Sequence, residues 1–147
     1  RIRLISDGDV SPAVATAYED SGVDLMMGIG GAPEGVLAAA ALVCLGGDMQ
    51  ARLAPENDED RKRIHQMGTV DEDKLLMLDD LVKGDDVIFV ATGITDGSLL
   101  KGVRYRVGGA STYTIVMRSQ TGTVRYIEAW HKFAKKPLID KIQGSCD

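Results

Sequence analysis

Two short stretches carry residue types at spacings that can do chemistry. The first is Asp7-Gly8-Asp9, where two carboxylates flank a glycine directly after an apolar run. Such a turn lets both acids converge on a metal ion or on sugar hydroxyls, and the glycine lets the backbone come close. Strand ends of this kind are where α/β sheets usually bind ligands. Taken alone, the tripeptide reads as a plain turn, because Asp and Gly are favoured turn residues. The second stretch is GIGGAPEG, residues 28–35. Glycines 28, 30 and 31 precede a helix, so backbone N–H groups can face an anion. Glu34 falls in the first helical turn, where the dipole favours a carboxylate and suits it to a hard cation such as Mg²⁺ or Mn²⁺. Gly35 leaves room beside it for a sugar ring. The plainer alternative is a tight turn with a favourable acid at a helix start. The segment is not a Walker A loop, lacking Gly-Lys-Ser/Thr, and Pro33 occupies the third glycine position of a dinucleotide fingerprint.

Other candidates are weaker. In ATGITDG (91–97), Thr92, Thr95 and Asp96 can touch a ligand but more often cap turns. Lys101, Arg104, Arg106 and Arg118 can bind phosphate, yet on alternating strands they read as outward, solvated positions. His65 lies in a charged patch and His131 near the tail; neither has a partner pattern, and no nucleophile elbow is present.

These residues need elements to place them. RIRLIS (1–6) reads as a buried strand ending at the DGD turn. Residues 11–20 read as a helix with Ser11 at the N-cap and Pro12 at its first position. VDLMMGIGG (23–31) reads as a second strand. APEGVLAAAALVCLGG (32–47) follows as a helix with Pro33 at N1; it is apolar on every side from Val36 to Leu45 and is expected to be buried. Gly46 and Gly47 end it. The order strand, helix, strand, helix predicts an α/β layered core. Residues 55–66 are expected to face solvent as helix or loop, and 77–86 to hold a short helical turn closed by Gly84. VIFVATG (87–93) reads as a buried strand. VRYRV (103–107), TYTIVMRS (112–119) and TVRYIEAW (123–130) alternate as half-buried strands, with QTG (120–122) as a hairpin connection. We expect one α/β domain over 1–134 and a polar tail over 135–147.

The 147 residues carry 44% hydrophobic and 27% charged side chains, ordinary for a globular domain. Aromatics at 5% leave the core to Val, Ile, Leu, Ala and Met. The net charge of −5 argues against a nucleic-acid partner, but a bound metal can still bring in a phosphate. Cys44 and Cys146 form no CxxC pair, which fits free thiols in a reducing cytoplasm. The longest apolar run is too short to span a bilayer, so no membrane partner is expected. The amino terminus has no signal-peptide layout and no initiator Met, which suggests a piece of a longer chain.

Taken together, LISDGDV (4–10), GIGGAPEGVLAAAALVCLGGDMQARL (28–53), GDDVIFVATGITDG (84–97), LLKGVRY (99–105) and TIVMRSQTGTVR (114–125) resemble the carboxyl-terminal portion of the bacterial class II fructose-1,6-bisphosphatases. The cyanobacterial members that also accept sedoheptulose-1,7-bisphosphate are similar too. The resemblance implies an α/β layered sandwich of the sugar-phosphatase, inositol monophosphatase-like type. It implies a cytoplasmic hydrolase of gluconeogenesis or the Calvin cycle that removes the 1-phosphate of fructose-1,6-bisphosphate with Mg²⁺ or Mn²⁺, as a homo-oligomer. It implies that Asp7, Gly8 and Asp9 bind the sugar phosphate and that Glu34 contacts the metal. The other metal-binding acids would belong to an amino-terminal part outside this sequence. Two competing expectations are a non-catalytic module holding a sugar phosphate or nucleotide on GIGGAPEG, and an inert interaction domain with exposed strand edges.

Overall fold

The computed structural model describes residues 1–6, 8–68 and 71–136. Cys146 and nearly all of the polar tail lie outside them. The chain is a mixed α/β fold whose sheets are antiparallel.

Strand β5 (Gly109–Arg118) organises it. Along its whole length β6 (Thr123–Lys132) runs antiparallel, from Gly109↔Lys132 to Arg118↔Thr123. On its other edge β3 (Ile88–Thr92) pairs with the carboxyl half and β4 (Arg104–Arg106) with the amino half. A two-residue turn with Gly108 at φ 80° joins β4 to β5. A short 3₁₀ turn closed by Gly122, at φ 56°, joins β5 to β6. Left-handed positions of this kind favour glycine, and QTG marked the second in advance.

Two helices cover one sheet face. Helix α1 (Val10–Ala15) packs against α2 (Ala32–Leu45), and α2 packs on β3 and β5. Val14, Ala41, Cys44, Phe89, Ile115 and Met117 form the core. Ile115 and Met117 point inward at every second residue, as strand geometry requires. The Cys44 thiol donates to the Val87 carbonyl at 3.4 Å, and burial pushes its pKa up, so it is an inert core thiol. Helix α3 (Asp58–Gln66) has no buried residue; the Asn57 side chain accepts from the Asp60 N–H as its N-cap. Short strands β1 (Gln50–Ala51) and β2 (Leu76–Met77) pair as a separate two-residue ladder, and α4 (Leu78–Leu81) follows directly.

Several expectations need correction. Residues 1–6 and 23–31 are not strands and are not buried: Ile2 and Leu4 are each 90% exposed and Met27 is 85% exposed. A strand needs a neighbour for its backbone groups, and among the described residues neither segment has one. Helix α1 starts at Val10, so Asp9 rather than Ser11 takes the N-cap and Pro12 is the third helical residue. In α2, Ala32 comes first and Pro33 second; Val36 and Leu37 are exposed, and burial begins at Ala38. In β3 only one face is covered. Phe89 is buried while Ile88 and Val90 stand exposed on the opposite face, because an antiparallel sheet with helices on one side buries alternate residues only.

Candidate functional site

The junction of the two glycine-rich turns forms a cleft of about 610 Å³. Its walls are Ser6, Gly8, Asp9, Val10 and Ser11 from the α1 turn, and Ile29, Gly31 and Glu34 from the α2 turn. The packing of α1 against α2 brings these two turns together.

Each acid rests on a glycine. The Asp9 carboxylate lies where a Cβ at Gly30 would stand, and the Glu34 carboxylate folds back over Gly31, the N-cap residue of α2. A side chain at either glycine would push the carboxylate aside, a shift these flexible acid side chains can make, so the two glycines matter for where the acids sit rather than for backbone conformation. Gly8 differs: its φ of 75° is left-handed, with open space around it. Asp9 sits at the N-cap of α1 yet makes no side-chain capping bond, which leaves its carboxylate for the cleft. Gly31 likewise offers α2 no side-chain cap, so the first N–H groups of this 14-residue helix have no capping side chain. Asp7 lies outside the described residues.

The cleft has a second tie to the fold. The hydroxyls of Ser11 and Ser98 hydrogen-bond at 2.8 Å, linking α1 to the loop between β3 and β4. That loop is tightly built. Gly93 passes against the Lys101 carbonyl and Gly102 against the backbone of Thr95 and Asp96. Asp96 accepts the Gly102 N–H at 2.9 Å and both of its oxygens accept from Arg104, at 2.7 and 2.8 Å. These bonds hold the Asp96 carboxyl below the usual carboxylate range. ATGITDG is therefore a structural turn: Asp96 is consumed by its own loop, and Thr92 bonds Thr114 across the sheet at 2.8 Å.

The remaining sequence candidates fall elsewhere. Arg118 pairs with Asp86, whose carboxyl it holds low. Lys101 lies over the Tyr113 ring at 5.4 Å. His65 faces Glu72 at 2.8 Å, and His131 meets the Thr112 hydroxyl at 2.9 Å. Sequence reasoning missed Ser6, Ile29 and the site role of Ser11; the adjacency of Ser6 and Ser11 to the DGD turn was the available signal.

Among the described residues, no three His, Cys, Asp or Glu side chains come together to hold a metal ion. The cleft offers two hard oxygen donors, Asp9 and Glu34, where Mg²⁺ or Mn²⁺ takes about six oxygens, several of them supplied by water or phosphate. The pair fits part of a divalent-metal and phosphate site rather than a whole one.

Comparison with known proteins gives the family. The family model described as bacterial fructose-1,6-bisphosphatase, glpX-encoded, matches residues 1–131. A D-fructose 1,6-bisphosphatase class 2/sedoheptulose 1,7-bisphosphatase of Synechococcus sp. (strain JA-3-3Ab) is 43% identical over 143 aligned residues, covering 89% of this chain and 41% of its own length. The protein of the same name from Trichodesmium erythraeum is 40% identical, covering 95% of this chain and 44% of its own length. The chain thus spans about two-fifths of the curated relatives it matches.

Proposed function

This chain belongs to the bacterial fructose-1,6-bisphosphatase family, and from that premise we propose that it supplies part of the sugar-phosphate and metal site of a sugar bisphosphatase. The reaction is hydrolysis of the 1-phosphate of fructose-1,6-bisphosphate, with sedoheptulose-1,7-bisphosphate as the second substrate that the relatives' names suggest. The observation that carries this reading is the cleft in which Asp9 and Glu34 each rest on a glycine.

In this reading Asp7, Gly8 and Asp9 bind the sugar phosphate. The left-handed Gly8 turns the backbone just ahead of Asp9, whose carboxylate faces the cleft. Helix α2 contributes the positive end of its dipole and uncapped N–H groups, which favour an anionic phosphate. Glu34 reaches back over Gly31 to hold Mg²⁺ or Mn²⁺ near that phosphate. When bound, such metals polarise the phosphoryl group and supply a nucleophilic hydroxide at neutral pH. Further acids must come from the remaining chain of a full-length enzyme, so the isolated chain is inactive. The proposed whole is a cytoplasmic homo-oligomer with an inositol monophosphatase-like layered fold, of which residues 1–134 form one α/β domain and 135–147 a tail. The reading includes no nucleic-acid or membrane partner.

The test is phosphate release from fructose-1,6-bisphosphate with Mn²⁺ or Mg²⁺, comparing this chain alone with this chain fused behind the amino-terminal part of the Synechococcus relative. Activity is expected only in the fusion. Glu34→Ala is expected to lower it on the order of 100-fold or more. A folded fusion that releases no phosphate would sink the reading.

A second reading rests on the glycine-rich start of α2, whose first N–H groups have no capping side chain from Gly31. It is a non-catalytic module that holds a sugar phosphate or nucleotide at the α2 turn. Tight binding of either by this chain without metal, measured by calorimetry, would favour it.

A further inference from the structure

Two opposite charges share a second cavity without meeting. It holds about 330 Å³, at the small end of ligand pockets, and shares no lining residue with the cleft. Lys101 is the cation of its wall and Glu128 the anion; Leu99, Leu100, Ile127 and the Tyr113 ring supply apolar surface. Among the described residues, neither charge takes part in an ion pair. Tyr113 keeps them apart. The Lys101 ammonium stands 5.4 Å from the centroid of its ring, while its hydroxyl donates to a Glu128 oxygen at 3.0 Å. That bond, and burial after it, raise the phenol pKa, so the phenol remains the donor. The second Glu128 oxygen is left to accept from elsewhere. Tyr113 lies directly opposite Glu128 in the β5–β6 ladder, so both side chains rise from one sheet face. Lys101 is presented just as firmly, because the next N–H, that of Gly102, donates to Asp96 at 2.9 Å.

We propose that this cavity binds an α-amino acid with an apolar side chain, its carboxylate on Lys101, its ammonium on the second oxygen of Glu128, and its side chain against Leu99, Leu100 and Ile127. A simple anion would face Glu128, and a simple cation would face Lys101. A purely apolar ligand would cover both charges without partners for either. A ligand that carries both charges close together on an apolar body satisfies every wall. The proposal does not depend on the phosphatase reading. The site lies outside the cleft yet is tied to it, since Lys101 belongs to the loop whose Ser98 bonds Ser11 at the cleft.

Amide NMR spectra of this chain and of the fusion described above, titrated with L-leucine, test the proposal. Residues 99–101, 113 and 126–128 are expected to shift saturably while α3 stays still. Leucinamide lacks the carboxylate and N-acetyl-leucine lacks the ammonium; each is expected to bind on the order of 10- to 100-fold more weakly. Lys101→Met and Glu128→Gln are expected to weaken L-leucine binding by a similar factor, and an unchanged unfolding midpoint shows that each variant is folded. Absence of saturable shifts in both proteins overturns the proposal. So does equal binding of leucinamide or N-acetyl-leucine, which would mean that apolar contact alone holds the ligand. Acetate binding as tightly as L-leucine also overturns it, as the mark of a simple anion site. L-leucine binding unaffected by both substitutions would place the ligand elsewhere and overturn it too.

Discussion

Asp9 and Glu34 owe their positions to the missing side chains of Gly30 and Gly31. Neither glycine has a positive φ, so alanine is free to adopt the backbone and the damage falls on the carboxylate. Gly31→Ala is expected to cost no more than about 1 kcal/mol of stability as an N-cap change. In the fused protein it is expected to lower phosphate release roughly 10- to 100-fold, the scale of a misplaced metal ligand. Unchanged turnover would show that the position of Glu34 is not limiting. Only the contact of Glu34 with Gly31 was legible in the sequence, because it lies inside one short motif. Asp9 meets Gly30 of the other turn through the packing of α1 on α2, which local sequence does not report. The bond from Ser11 to Ser98 spans 87 positions, and no periodicity or turn signal connects such residues.

At the scale of elements, β5 carries the fold. Ile115 and Met117 are fully buried between the helices and the sheet. Ile115→Ala is expected to cost about 2–5 kcal/mol, read as a lowered urea midpoint with the slope unchanged. Acid weakens the periphery of the same sheet. Arg118 lowers the Asp86 carboxyl, and the Gly102 N–H, then Arg104, lower that of Asp96. A lowered carboxylate stabilises the fold above its unfolded value of about 3.9, and that stabilisation is lost as pH falls through the still lower folded values. The melting temperature is expected to drop below about pH 5, and Asp96→Asn to remove part of that dependence. Identical acid profiles for the variant and the native chain would exclude Asp96 as a contributor. The alternation of Val103 to Trp130 revealed β4, β5 and β6 because their partners lie within the same stretch of chain. Residues 1–6 show the same kind of pattern without a partner, and alternation alone reports a face rather than a ladder. The β1–β2 pairing, two residues long, left no periodic signal.

For the whole molecule, two carboxylates in the cleft set what metal can do. A ligand that binds only the native state raises the melting temperature according to its concentration over its dissociation constant. Millimolar Mg²⁺ or Mn²⁺ is expected to leave the isolated chain unmoved and to raise the melting temperature of the fused protein, with a chelator reversing the gain. A clear rise for the chain alone would mean that it holds the metal by itself. Composition had indicated an aliphatic core with few aromatics, and the core of Val14, Ala41, Cys44, Phe89, Ile115 and Met117 has that character. The place of β5 in that core also dictates when the core can form during synthesis. Val14, Ala41, Cys44 and Phe89 are all synthesised before Ile115 and Met117 exist. At 5–20 residues per second, the stretch from Cys44 to Met117 takes roughly 4–15 s to translate. Until its end α2, a largely apolar helix, is a nascent segment without β5, one of the two strands it packs on.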